Sequence, residues 1–363
     1  MNEKKYHNNI NIPEVSKKGY ALLKEGKHQL AKECFSKILE IDRKNLYALV
    51  GMGDVLRVQK NFNDAIEYYN MALSIDPANK FAMIGLADAL RGLNNLDSAI
   101  KIWEEYLNYN EYDIAILSRL GDSYRKKKEH EKALETYLRA LKIDPENPYV
   151  LSGLGLLHFD TGKYEDALEY WFRLLKIEPD DIKVLTNIGN CYRKLKRYSD
   201  ALKFFYKALR IDKNNFYALY GIADSYRGMK DYGKAAEYWK KILENDPYNK
   251  KILTRLGDSY RNMGELETAR FYYKKAIERD FDYYAILGLG IIDKLENKFE
   301  SALENLKQLK NISGINVQLA LLISDCYIDM NKKELAIEVL KEAVESGYKN
   351  EEIKKRLKLL THA

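Results

Sequence analysis

Apolar residues recur along this chain in two interleaved helical patterns. Within a 34-residue unit, one set falls at the fourth, seventh and eleventh positions and a second at the twentieth, twenty-fourth and twenty-seventh. Leu117, Leu120 and Tyr124 belong to the first set; Ala133, Tyr137 and Ala140 belong to the second. Spacings of three and four place each set on one face of a helix. A polar turn such as Gly162-Lys163 lies between them, so each unit reads as a helical hairpin. Alanine at the twentieth position fixes the register: Ala31, Ala65, Ala99, Ala133, Ala167, Ala201, Ala235, Ala269, Ala302 and Ala336. Each step is 34 residues except the 33 between Ala269 and Ala302.

Other residue types follow the same ruler. Glycine or alanine stands twelve residues before most of these alanines, as at Gly53, Ala87, Gly121 and Gly155, and a large side chain stands four after, as at Phe35, Tyr69, Trp103 and Tyr137. The small residues let two helices approach and the large one wedges between them. Pro77, Pro145, Pro179 and Pro247 close their units, because proline cannot continue a helix interior. Asn79, Asn147, Asn215 and Asn249 stand where N-caps of the next helix belong. A fixed period of this length means stacked hairpins, each covering the apolar face of its neighbour.

Segments such as 164–181 (YEDALEYWFRLLKIEPDD) and 131–147 (EKALETYLRALKIDPEN) carry the pattern most fully. Through them nearly the whole chain resembles the tetratricopeptide repeat family. The resemblance implies an all-α, right-handed superhelical solenoid of about ten antiparallel helix hairpins whose first helices line a concave groove. The units would start near residues 12, 46, 80, 114, 148, 182, 216, 250, 283 and 317, making one array over 12–349 after a flexible tail, 1–11. Ile353, Leu357 and Leu360, at helical spacing in 350–363, suggest a C-terminal capping helix. Units nine and ten lack the closing proline, and Asn311–Gly314 replaces the usual turn, so looser or displaced packing is expected there. A double period overlies the array. Trp103, Trp171 and Trp239 are 68 residues apart, as are Gly85, Gly153 and Gly221, while the intervening units carry Arg119, Asn187 and Arg255 in place of those glycines.

The second, fifth, ninth and twelfth positions of the first helix share one face. Units two to eight read Asp54, Asp88, Asp122, Leu156, Asn190, Asp224 and Asp258 at the ninth, and Arg57, Arg91, Arg125, Phe159, Arg193, Arg227 and Arg261 at the twelfth. The resemblance places this ladder in the groove. Arginine grips carboxylates as a planar fork, and Asp or Asn190 would accept backbone N–H groups of an extended peptide. The equal alternative is internal Asp–Arg pairing, worth roughly 0.3–0.5 kcal/mol per pair. Tyr149, Leu156 and Phe159, with His158 beside them, interrupt the ladder and suggest an apolar anchor site.

Catalytic chemistry is poorly represented. The histidines have no metal-ligand spacing on a helix, and Gly153-Leu154-Gly155 lacks both the preceding strand and the third glycine of a dinucleotide fingerprint. No cofactor and no metal is expected, and the chain is not read as an enzyme. Cys34, Cys191 and Cys326 form no framework, which suits a reducing, cytoplasmic setting. A net charge of +6 is mild, and groove aspartates would repel phosphate, so nucleic acid is an unfavoured partner. No 18-residue apolar run is present. The leading expectation is an adaptor or scaffold that binds a protein or peptide, with carboxylates and one bulky apolar anchor, in its groove. The alternatives are a structural subunit packing through its edges or convex face and, behind it, single-stranded RNA binding. Homo-oligomerisation stays open.

Overall fold

The structure, a computed structural model, describes residues 11–362; most of the expected flexible tail, residues 1–10, lies outside the described residues, as does 363. The described residues are helical with no strand. They fall into two compact units, one ending at Pro179 and the other beginning at Asp180. The first holds five hairpins: α1 (Ile12–Lys24) with α2 (His28–Ile41), α3 (Leu46–Val58) with α4 (Phe62–Ile75), α5 (Lys80–Gly92) with α6 (Leu96–Tyr109), α7 (Ile114–Lys126) with α8 (His130–Ile143), and α9 (Pro148–Asp160) with α10 (Tyr164–Ile177). The second holds α11 (Ile182–Lys194) with α12 (Tyr198–Ile211), α13 (Phe216–Gly228) with α14 (Tyr232–Asn245), α15 (Lys250–Asn262) with α16 (Leu266–Ile277), α17 (Tyr283–Leu295) with α18 (Phe299–Ser313), and α19 (Val317–Asp329) with α20 (Lys333–Glu345). A single helix, α21 (Glu351–His362), closes it.

Each hairpin is built by the residues that mark the register. All ten alanines of the twentieth position are fully buried, and so are the rings four residues later, from Phe35 to Tyr273. Burying one such aromatic side chain removes about 150–250 Å² from water, roughly 4–6 kcal/mol of gross stabilisation. The small residue of the first helix makes room for it: a Cβ added at Gly53 would lie 2.6 Å from the Tyr69 ring. N-capping follows the asparagines. Asn79 accepts from Ala82 N–H at 3.1 Å, Asn215 from Ala218 and Asn249 from Ile252, and Asn147 accepts from both Tyr149 and Val150. The turn inside every hairpin adopts a left-handed conformation at the fifteenth position, at Gly26, Gly162 and Gly264 but also at Lys60, Asn94, Lys128, Lys196, Lys230, Asn297 and Asn331.

The double period has a packing cause. The ring of a Tyr or Phe repeat also presses on the sixth position of the next repeat's first helix. A Cβ at Gly51 would lie 2.4 Å from Phe35; one at Gly85 would lie 2.3 Å from Tyr69, at Gly153 2.5 Å from Tyr137, at Gly221 2.3 Å from Phe205 and at Gly288 2.3 Å from Tyr273. Where the preceding ring is Trp103 or Trp239, the sixth position is Arg119 or Arg255 instead. The alternation is a matched choice of ring and facing residue.

The last two repeats correct the expectation of loose packing. The helix α18 runs on to Ser313, Gly314 turns with φ +74°, and Asn316 caps α19 by accepting from Leu319 N–H. Leu306, Leu309, Leu319, Ala320 and Leu340 are fully buried in a cluster that continues to Ile353 of α21. Leu357 and Leu360 pack against the same cluster, as a cap requires.

Cys191 and Cys326 are fully buried, and Cys34 is half-buried. Burial pushes the Cys326 thiol up to about 11. A thiol-reactive disulfide reagent is therefore expected to modify one cysteine, Cys34, in the native chain and the other two only after unfolding. Rapid modification of three thiols without denaturant would contradict this packing.

Candidate functional site

Within each compact unit the charges at the ninth and twelfth positions of the first helices engage each other. Three repeats build the same triad. Tyr69 donates its hydroxyl to Asp54 at 2.8 Å while Arg57 donates Nε to that hydroxyl at 3.2 Å and lies 3.2 Å from the carboxylate. Tyr273, Asp258 and Arg261 repeat the geometry at 2.8, 3.2 and 3.7 Å. Tyr137 donates to Asp122 at 2.6 Å, and Arg125 lies 4.0 Å from that carboxylate. Burial, and then the neighbouring carboxylate, push these phenols well above the ordinary tyrosine range, so the hydroxyls stay donors.

The tryptophan repeats have no hydroxyl to offer, and arginines gather instead. Asp88, 9% exposed, faces Arg119 at 2.9 Å, Arg91 at 3.4 Å and Arg57 at 3.9 Å. Arg91 also lies 5.7 Å above the Trp103 ring. Asp224 receives Arg193 at 2.5 Å and Arg227 at 2.7 Å, and Arg193 also donates to Asn190 at 3.3 Å. Burial opposes the charge on Asp224, but Arg227 and Arg193 hold it below the ordinary aspartate range. Two of these contacts run from the twelfth position of one repeat to the ninth of the next. Lys294 to Asp325, 2.7 Å, is a third, and Arg356 of α21 supplies the guanidinium that an eleventh repeat would have brought to Asp325.

Repeat five departs from this pattern. Its ninth position is Leu156, so Arg125 turns to Asp160 at 2.6 Å. Phe159 is half-buried, with its ring 5.3 Å from Tyr164 and 6.0 Å from Trp171, and Leu156 is half-buried too. Of the expected anchor residues only Tyr149, 80% exposed, stands in solvent. His158 lies inside the hairpin, stacked on Tyr170 at 5.4 Å with Nδ1 3.6 Å from Asp166. Burial lowers its pKa despite that carboxylate.

A roomy concavity lies elsewhere on the first helices of the N-terminal unit. A cleft of about 950 Å³ opens between α1, α3 and α5, lined by Pro13, Ser16 and Tyr20 of repeat one, Tyr47, Val50 and Asp54 of repeat two, and Phe81 of repeat three. These are second, fifth and ninth positions. Tyr20 donates to the Tyr47 carbonyl at 3.0 Å and fixes the floor. Tyr47 and Phe81 are 71% and 61% exposed. They belong to a series at the second position that also exposes Tyr149, Tyr217 and Tyr284; the 68-residue spacing of Phe81, Tyr149 and Tyr217 was visible in the sequence, the place of Tyr47 and Phe81 at a cleft was not. The available signal was an aromatic at a position that faces no neighbour in the hairpin.

Among the described residues no group of three His, Cys, Asp or Glu side chains could hold a metal, and no helix is long and apolar enough to cross a membrane.

Tetratricopeptide repeat models match residues 16–45, 46–79, 182–215, 217–247, 251–283 and 317–346, and a further TPR repeat model matches 121–162. The chain belongs to the tetratricopeptide repeat family. No curated protein sequence matches it. Among solved structures, this array is similar to a tetratricopeptide repeat protein from Parabacteroides merdae, with 20% identity, 67% of this chain and 97% of that chain covered, and a TM-score of 0.54. It is similar to PilW, a widely conserved type IV pilus biogenesis factor, with 22% identity, coverage of 58% and 98%, and a TM-score of 0.52. The APC/C hetero-tetramer Cut9-Hcn1 matches with 15% identity, coverage of 95% and 75%, and a TM-score of 0.50. At these identities the likeness is one of fold. A tetratricopeptide array is a scaffold for protein–protein interaction.

Proposed function

We propose that this tetratricopeptide array is a non-enzymatic adaptor that holds an extended segment of a partner protein along the ladder face of its first helices. The cleft between α1, α3 and α5 carries the reading, because it combines about 950 Å³ of room with two exposed rings, Tyr47 and Phe81, that serve no packing role in their own hairpins. It takes the bulky apolar side chain of the bound segment. Arg91 and Arg119, about a third exposed and sharing Asp88, supply unused donors for a carboxylate farther along. Buried thiols at Cys191 and Cys326 fit a cytoplasmic setting.

Peptides selected from a displayed random library on the intact chain test this. They are expected to share one large apolar residue and at least one acid. Tyr47→Glu with Phe81→Glu should weaken the selected peptides more than about tenfold, as loss of interface anchors does, with no change in helicity or urea midpoint. Selected peptides that bind the double variant as well as the parent would remove the cleft from the proposal.

A further inference from the structure

The modest net charge of the whole chain hides a segregation. Repeats six to eight, residues 182–282, contain 22 Lys and Arg against 13 Asp and Glu, an excess of nine. The rest of the chain has 38 against 41. The excess concentrates on the second helices of those repeats. At the twenty-fifth and twenty-sixth positions α12, α14 and α16 carry Lys207, Lys240, Lys241, Lys274 and Lys275, where repeats two and three have Asn70, Met71, Glu104 and Glu105. None of the five lysines is in an ion pair among the described residues.

Four of the five ammonium groups are held by rings. Lys207 lies 5.3 Å over Phe204, Lys241 4.5 Å over Tyr238, Lys275 5.6 Å over Tyr248 and Lys240 5.3 Å over Tyr260. A cation placed on an aromatic face keeps its charge and loses part of its freedom. The second helices also sit side by side: the Tyr206 hydroxyl of α12 is 3.1 Å from that of Tyr238 on α14. The result is a row of fixed cations recurring once per repeat, on helices that carry none of the ladder aspartates. Two rings next to the row remain open to solvent. Phe271 is 60% exposed and Tyr248 49%, the latter with Arg279 3.6 Å above it.

We propose that this face of repeats six to eight binds single-stranded nucleic acid, its lysines on the phosphates and Phe271 and Tyr248 against the bases. Regularly spaced cations match a polyphosphate backbone, and exposed rings among them add stacking that tolerates any base. An acidic protein would use the charges too, but its carboxylates carry no fixed period, whereas a single strand repeats both a phosphate and a planar base at every residue.

The test is fluorescence anisotropy of a labelled oligothymidylate of about 20 nucleotides with the full-length chain at about 50 mM salt. Lys207→Glu, Lys241→Glu and Lys275→Glu together should weaken binding more than about 30-fold and flatten the slope of log affinity against log salt by about two, since each lost single-strand phosphate contact removes about 0.7. Phe271→Ala should cost about threefold to tenfold and leave that slope unchanged. Lys37→Glu, at the same position of repeat one, should change affinity less than about twofold. The proposal is overturned if the parent chain does not bind, if Lys37→Glu weakens binding as much as the triple variant, or if a poly-glutamate peptide of equal charge binds more tightly than the oligonucleotide, which would assign the face to an acidic protein.

Discussion

Gly85→Val is expected to destabilise the chain by about 2–3 kcal/mol, because overpacking of a closed core site costs that much. The new Cβ would lie 2.3 Å from the Tyr69 ring, which is itself fully buried and tied through its hydroxyl to Asp54 and Arg57. The ring cannot swing aside without breaking that triad, so the clash has to be relieved by parting α3 and α4 from α5. Better helix propensity than glycine returns at most about 1 kcal/mol. A matched control sits one repeat later: Arg119→Val, at the equivalent position after Trp103, is expected to cost under about 1 kcal/mol, since a β-branched side chain replaces an existing one and Asp88 keeps Arg91 and Arg57. Urea denaturation followed by far-UV circular dichroism, with hydrogen exchange of α5, compares the two. Equal midpoints for both variants would show that ring and facing residue are not matched as described.

Asp293→Ala is expected to cost about 3–5 kcal/mol, the penalty for stripping one partner from a buried ion pair. The residue is 2% exposed and is the hub of α16, α17 and α18: Arg270 donates at 2.6 Å, Ser301 at 2.8 Å and Asn305 at 3.0 Å. Without the carboxylate, the half-buried Arg270 and Asn305 and the exposed Ser301 lose their acceptor, and Arg270 retains Glu296 at 2.7 Å. Asp293→Asn should cost less, because one oxygen still accepts. The same denaturation series, restricted to the transition of the C-terminal unit by hydrogen exchange of α17, reads the effect; a loss under about 1 kcal/mol would mean that water replaces the carboxylate there.

Most of the architecture was legible in the sequence because repetition averages out local ambiguity. Ten alanines, the asparagine caps and the spacing of Ile353, Leu357 and Leu360 each announced an element that the structure contains. The ladder was legible as residues but not as bonds. Whether Asp54 pairs with a ligand or with its own helix depends on Tyr69, fifteen residues away, whose hydroxyl arrives only once the hairpin closes. The turn of Arg125 toward Asp160 follows from Leu156, a consequence visible in the sequence once the inter-repeat contact is known. Phe159 stood at a ladder position and therefore suggested an anchor, yet a ring next to Trp171 gains more from packing on it than from facing water. The cleft could not be located because the short Pro13 and Ser16 that line it have equally short counterparts at Ala115, Ser118 and Ser152, so residue size alone does not mark it. Asp293 occupies the eleventh position, which is tyrosine at Tyr124, Tyr192, Tyr226 and Tyr260, and that departure was the one available sign of its burial.

The pairing of each ring with the residue that meets it restricts how such an array can change length. Excision of the third repeat alone would bring Tyr69 against Arg119, and a guanidinium stem would enter a space sized for a bare backbone. Excision of the third and fourth together brings Tyr69 against Gly153, and the seam closes as before. Loss of hairpins is therefore expected to be tolerated where the ring meets a glycine again, as Tyr69 does after 68 residues are removed.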